Sequence, residues 1–143
     1  MFEYDFICFY LVISFPSLSL THFLLAYCSR WIDVNAVDSH SYSTPLHICC
    51  KHDSNVVIKT VALLVQSNAH LDCRNANGKR PIDVARAMPI KSLLSSKSNS
   101  LRLKCICANM INETTDDLTT LMLPDKLNRF VKLHGGHKRS RLR

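Results

Sequence analysis

Thr44-Pro45-Leu46-His47-Ile48-Cys49-Cys50 and, thirty-six residues further on, Arg80-Pro81-Ile82-Asp83-Val84-Ala85 each open an apolar-periodic stretch with a proline. Proline presets the backbone for a first helical turn and lacks only an N–H that the helix would leave unpaired, so Pro45 and Pro81 mark helix starts. Thr44 can cap through its hydroxyl, and His47, three residues on, can return a hydrogen bond. A polar finger precedes each start: Asp33-Val34-Asn35-Ala36-Val37-Asp38, then His70-Leu71-Asp72-Cys73-Arg74-Asn75 followed by Asn77-Gly78. Gly78 supplies the positive φ that a tight finger requires. Recurrence over thirty-six residues is the period of a helical repeat.

Within the better repeat, helices are expected at about Pro45 to Cys50 and Val56 to Gln66. Val57, Val61, Leu64 and Val65 recur at helical spacing and give the second helix one apolar face. A finger followed by two antiparallel helices resembles the ankyrin repeat, and the Thr-Pro-Leu-His tetrad is its most specific signature. Thr44, Pro45, Leu46, His47, Gly78 and Pro81 would form the structural motif, with His47 a helix cap and not a metal ligand. The pattern is degraded. Ser41 stands where glycine is usual, one extra residue precedes Thr44, Arg80 replaces threonine and Asp83 replaces histidine. Such departures suit the end of an array. The expected fold is an all-α ankyrin-repeat solenoid of two to three degraded repeats, followed by a short helical docking box.

Composition narrows the function classes. At 143 residues and 16.3 kDa the chain is too short for two enzyme domains around a cofactor cleft. Three glycines cannot furnish a Gly-rich phosphate loop, and neither a dinucleotide fingerprint nor a Walker lysine motif occurs. The net charge of +7 is concentrated in Lys138, Arg139, Arg141 and Arg143 at the end; residues 1–137 hold fourteen basic and eleven acidic side chains. No nucleic-acid partner is expected from so balanced a body. Seven cysteines form an odd set without a Cys-x-x-Cys pair, and His134 with His137 has no second ligand pair. Neither a zinc site nor a disulfide framework is expected, and no cofactor. Buried free thiols in the reducing cytoplasm or nucleus are the plainer expectation.

Residues 6–29 lack any formal charge and include FICFYLVISF at 6–15, long enough to span a bilayer. Pro16, His22 and several serines dilute the run, and Glu3 and Asp5 occupy the flank where a signal peptide is positive. Membrane attachment is therefore not expected. Phe15-Pro16-Ser17 divides the run, and Phe23-Leu24-Leu25-Ala26-Tyr27 looks like the second helix of a preceding repeat. Residues 1–14 form an apolar leader that fits a buried strand or helix, a membrane-prone segment, or sequence outside the domain. The organisation is then 1–14 leader, 15–91 repeats, 92–100 serine-rich link, 101–134 helical box region and 135–143 basic tail.

Beyond the link, residues 101–111 are helical by pattern, with Leu103, Cys107 and Ile111 at i, i+4 and i+8 on one face. A leucine, a small residue and an aliphatic at this spacing resemble the elongin-binding box of cullin-ligase substrate receptors. Twelve residues after Ile111 begins Leu123-Pro124-Asp125-Lys126-Leu127-Asn128-Arg129-Phe130, which resembles the cullin-selecting box. Pro124 would start a helix whose Leu127, Phe130 and Val131 form a contact face.

Both boxes in order after ankyrin repeats resemble the Fem-one (feminisation) family of ankyrin substrate receptors, from about Phe15 to His134. Asn68-Ala69-His70-Leu71-Asp72, Leu103-Lys104-Cys105 and Leu133-His134 add to the likeness. The resemblance implies docking on elongins B and C through Leu103, Cys107 and Ile111, and on cullin-two through Leu123, Pro124, Leu127 and Phe130. In that family the docked scaffold recruits a RING ubiquitin ligase, and an amino-terminal stack holds the substrate. No residues here match the degron pocket of that stack, so the chain looks like the final portion of such a receptor.

No catalytic constellation emerges. Cys105 and Cys107 as nucleophiles, His134 or His137 as base and Asp116-Asp117 as a carboxylate pair are conceivable, but nothing in the sequence sets a base beside a thiol. Solenoid stability comes from interfaces between neighbours, and about three repeats are normally needed. The isolated chain is thus expected to be marginally stable. Thermal denaturation followed by circular dichroism should give a low or broad transition; reversible, cooperative melting well above body temperature would contradict it.

Overall fold

The helices begin where the sequence supplies a cap. In a computed structural model, which describes residues 33–98, 103–115 and 117–135, helix α1 (Pro45–Cys50) starts behind an extended Thr44. The Thr44 hydroxyl oxygen accepts the His47 N–H, and the His47 ring accepts the Thr44 N–H at 3.2 Å. Reciprocal bonds of this kind satisfy donors that a helix start otherwise leaves open. Ser54 caps α2 (Asn55–Gln66) by accepting the Val57 N–H.

The next start, α3 (Pro81–Val84), lacks a hydroxyl. Its cap is rebuilt from the replacements: Asp83 Oδ2 accepts the Arg80 N–H at 2.9 Å and faces the guanidinium Nε at 3.2 Å. The hydrogen bond from Arg80 holds the Asp83 carboxyl below its ordinary value. Ala85 then turns extended and ends the helix after one turn.

The fingers use side-chain-closed turns. Asn75 Oδ1 accepts the N–H groups of Asn77 and Lys79, each at 3.0 Å, while Gly78 adopts φ +71°. In the first finger the corresponding left-handed residue, three before the proline, is Tyr42 (φ +51°) and not Ser41. The extra residue is absorbed by a bend around Asp38, which accepts Ser41 N–H on its carboxylate and Tyr42 N–H on its carbonyl. The fingers are joined side to side by Ala76 N–H to the Ser41 carbonyl, 2.8 Å, and His70 N–H to Asn35 Oδ1, 2.7 Å.

Helix α1 packs on α2 and α3, and α2 packs on α4 (Met88–Ser98). Leu46, Cys49, Cys50, Val57, Val61 and Leu64 form the core between them, continued by Ile90 and Leu94. Burial pushes the Cys49 and Cys50 thiols up to about 12. The expected serine-rich link at 92–100 is corrected here, because the chain stays helical through Ser98. Ile90 and Leu94, one turn apart, are both drawn into the repeat core, while Ser92, Ser95 and Ser96 face solvent. A serine-rich surface stripe had hidden an apolar contact line. The leader at 1–14, the helix expected at Phe23–Tyr27, and His137 with the basic residues after it lie outside the described residues. Among the described residues no helix is long and apolar enough to cross a membrane.

His47 ties the two repeats together. With Nδ1 accepting from Thr44 N–H, Nε2 carries the proton and donates to the Lys79 carbonyl at 2.9 Å. Burial is the main influence on this ring and lowers its proton affinity from the ordinary 6.5. Protons therefore bind the unfolded chain preferentially, and stability that is fully present above about pH 6.5 is lost as pH falls below it toward the lower folded-state value. Urea denaturation at pH 7.5 and pH 5.5 should show this loss, and His47→Gln should flatten the slope between the two.

Candidate docking surface

Helix α5 (Leu103–Thr114) and helix α6 (Asp125–Gly135) pack on each other, joined through a 3-10 turn at Leu118–Leu121. Asp117 caps that turn by accepting the hydroxyl and N–H of Thr119, and these bonds hold its carboxyl below its ordinary value. Met122 follows in a left-handed conformation, and the Pro124 carbonyl accepts Asn128 N–H at 2.9 Å to begin α6.

The helix pair is locked by one amide. Asn112 Nδ2 donates to the carbonyls of Ala108, 2.8 Å, and Val131, 2.6 Å. Gly135 leaves room for that amide, since a Cβ there would lie well inside contact distance of the Asn112 side chain. Cys105 and Ala108 are the residues of α5 that are buried.

The opposite side of α5 carries apolar side chains into solvent. Leu103 is 76% exposed and Met110 58%, with Ile106 and Cys107 also exposed between them. These four positions recur at i, i+3, i+4 and i+7, one stripe of a helix. Ile111, expected on the same face, is half-buried. On α6, Leu127 is 52% exposed and Pro124 is exposed, while Leu123 is half-buried. Phe130 and Val131 are placed differently from the expected contact face. Val131 is buried, and the Phe130 ring packs 4.4 Å from the His134 ring and edge-on to His70 at 5.4 Å, with the Lys104 ammonium 5.3 Å above it.

That turn inward follows from how the pair attaches to the second finger. Arg74 N–H donates to the Leu133 carbonyl at 3.1 Å, and Asn109 Nδ2 donates to Asp72 Oδ2 at 2.9 Å. His70 Nδ1 lies 3.1 Å from Cys105 Sγ, and His134 Nε2 lies 3.3 Å from Asp72 Oδ1. Burial pushes the Asp72 carboxyl up, but neighbouring His134 and Asn109 outweigh it and hold it below its ordinary value. A base thus does stand beside a thiol, contrary to the sequence reading, in the buried pair His70 and Cys105. No local spacing announces this seam. His70 and Asp72 sit in a finger, and Cys105 and His134 on separate helices, so only the packing assembles them.

Comparison with known proteins agrees with the repeat geometry. Residues 41–76 match the ankyrin repeat family. Over 93 residues the chain is 30% identical to an ankyrin and IPT/TIG repeat-containing protein of Schizosaccharomyces pombe, an alignment covering 65% of this chain and 8% of that protein. The chain spans less than a tenth of the length of this curated relative. The fold is an all-α ankyrin-repeat fold, and no strand occurs among the described residues. Ankyrin repeats are protein-interaction modules.

The lock between α5 and α6 is testable on its own. Gly135→Ala should displace the Asn112 amide and cost about 1–3 kcal/mol of stability through the buried hydrogen bonds it breaks. In an Asn112→Ala background the same substitution should be nearly neutral, giving a coupling that a double-mutant cycle of denaturant melts measures.

Proposed function

We propose that the chain is a non-catalytic substrate-receptor component, or a fragment of one, of a cullin-RING ubiquitin ligase. Its terminal helices dock elongins B and C and cullin-two, and its ankyrin repeats contact a protein. The observation that carries this reading is the solvent-facing stripe of Leu103, Ile106, Cys107 and Met110 on a helix whose other side is fixed to α6 and the second finger. A surface helix normally keeps its apolar stripe against the core. Here a second apolar stripe faces water, which suits a helix laid into a partner's hydrophobic groove.

The residue types fit the two boxes in different ways. Leu103 is positioned to fill a pocket, and small Cys107 one turn later lets a partner surface approach the backbone. Exposed Pro124 and Leu127 are the accessible apolar groups of the cullin box, with Leu123 half-buried beside them. Phe130 supports them from below through its contacts with the seam histidines. Reduced buried thiols at Cys49, Cys50, Cys73 and Cys105 suit action in the cytoplasm or nucleus.

The deciding experiment is co-expression with elongins B and C followed by purification. Wild type should co-purify, Leu103→Ala should weaken binding by about 2–4 kcal/mol, and Cys107→Arg should weaken it more. Both side chains are exposed in the free chain, so far-ultraviolet circular dichroism should be unchanged. Failure of the wild type to co-purify, or binding by both variants unchanged from wild type, would leave an ankyrin interaction scaffold with no ligase recruitment.

A further inference from the structure

The seam between the second finger and the terminal helices gathers four side chains with metal-ligating atoms. One ligating atom each from His70, Asp72, Cys105 and His134 lies within 4.8 Å of all the others. Each residue is less than a tenth exposed. We propose that these four residues form a structural zinc site that fastens α5 and α6 to the last ankyrin finger. This inference does not depend on elongin or cullin binding.

The separations suit a small cation. Zinc bonds of about 2.0–2.3 Å arranged tetrahedrally place neighbouring ligand atoms about 3.3–3.8 Å apart. The pairs measured are 3.1 Å for His70 Nδ1 and Cys105 Sγ and 3.3 Å for His134 Nε2 and Asp72 Oδ1. A tetrahedron forms once the His70 and Cys105 atoms part by a few tenths of an ångström and the more distant atoms move inward. Two imidazoles, a thiolate and one carboxylate oxygen make a mixed nitrogen, sulfur and oxygen set that zinc favours and that calcium or magnesium, which take oxygen ligands, do not.

The hydrogen-bonded surroundings orient two of the ligands. A carbonyl only accepts, so the 2.8 Å contact between His134 Nδ1 and the Phe130 carbonyl puts a proton on Nδ1. Nε2 then faces Asp72 Oδ1 at 3.3 Å, a buried contact that a proton or a metal ion on Nε2 satisfies. A carboxylate oxygen and a ring nitrogen this close in a dry seam call for a cation between them, supplied by a proton or by a metal ion. Asn109 meanwhile occupies Asp72 Oδ2, leaving Oδ1 for coordination. Partners that fix the second atom of a ligand are the usual outer shell of a metal site. A cleft lined by Arg74, Asn109, Asn112, Glu113, His134 and Gly135 meets the cluster at His134.

Binding requires Cys105 to give up its thiol proton, and His134 Nε2 any proton it carries, to solvent, and the bound cluster of Zn²⁺, one thiolate, one carboxylate and two neutral imidazoles carries no net charge. Four protein ligands leave no open position, which makes the ion a staple and not a catalyst. The staple joins segments from positions 70–72, 105 and 134.

The test uses the full chain, stripped with a chelator and titrated with Zn²⁺ or Co²⁺ alone. Expected are one zinc per chain by elemental analysis, a higher melting temperature, and, with Co²⁺, the intense visible absorption of tetrahedral cobalt with a thiolate charge-transfer band. Cys105→Ser should remove the charge-transfer band, His134→Gln should weaken affinity at least tenfold, and Asn109→Ala should weaken it about 10- to 100-fold. His52→Ala, at an exposed histidine, should change nothing. Substoichiometric zinc, a weak octahedral cobalt spectrum, or a wild-type spectrum in Cys105→Ser would overturn the proposal. If the ligand variants fail to fold, the wild-type cobalt spectrum still decides. An NMR signature of doubly protonated His134 that persists unchanged with excess zinc would also overturn it, because a proton would then fill the cation's place.

Discussion

The imidazole of His47 is the joint on which the repeat architecture turns. One nitrogen closes the start of α1 with Thr44, and the other reaches the Lys79 carbonyl in the following finger. The same buried ring therefore starts a helix and sets the spacing between neighbouring repeats. Solenoids gain their stability from such neighbour contacts, since no single repeat can bury its own apolar face. Lys79 belongs to the turn that Asn75 and Gly78 close, so His47 also steadies the finger from which the terminal helices hang.

The last finger changes partner chemistry. Between α1 and α2 the contacts are aliphatic and thiol, as in Leu46, Val61, Leu64 and Cys50. Where the finger meets α5 and α6 they become His70, Asp72, Cys105, Asn109 and His134, with Phe130 covering the two histidines. Buried polar contacts are directional and fix rotation more tightly than apolar packing does. Holding Cys105 toward the finger leaves Leu103, Cys107 and Met110 pointing away from it, into solvent. The exposed apolar stripe is thus set by the polar seam on the other side of the same helix.

Capping chemistry was readable residue by residue. Pro45 and Pro81 start helices, Thr44 and His47 close a box, and Gly78 takes a positive φ, all through interactions within a few positions of chain. The replacements Arg80 and Asp83, which break the repeat pattern, still make a cap because the acid reaches back to the backbone N–H. Reading failed where position along the chain and position in space diverge. Tyr42 carries the left-handed turn one residue after the place where glycine was missed, because the extra residue is taken up around Asp38. Serines at 92–96 looked like a link, since composition shows the exposed side of α4 more plainly than its two core contacts.

The sequence by itself determined the local grammar of this protein: where helices begin, how the fingers turn, and which faces are apolar, because those depend on interactions over three or four residues. Only the tertiary structure decided which apolar face is covered and which is left open on α5, and that Phe130 and Val131 turn inward. It alone gathers His70, Asp72, Cys105 and His134 from across sixty-five residues into one buried cluster. The physical reason is range: a cap is satisfied by neighbours in the chain, whereas a buried donor set exists only after three separate segments have packed.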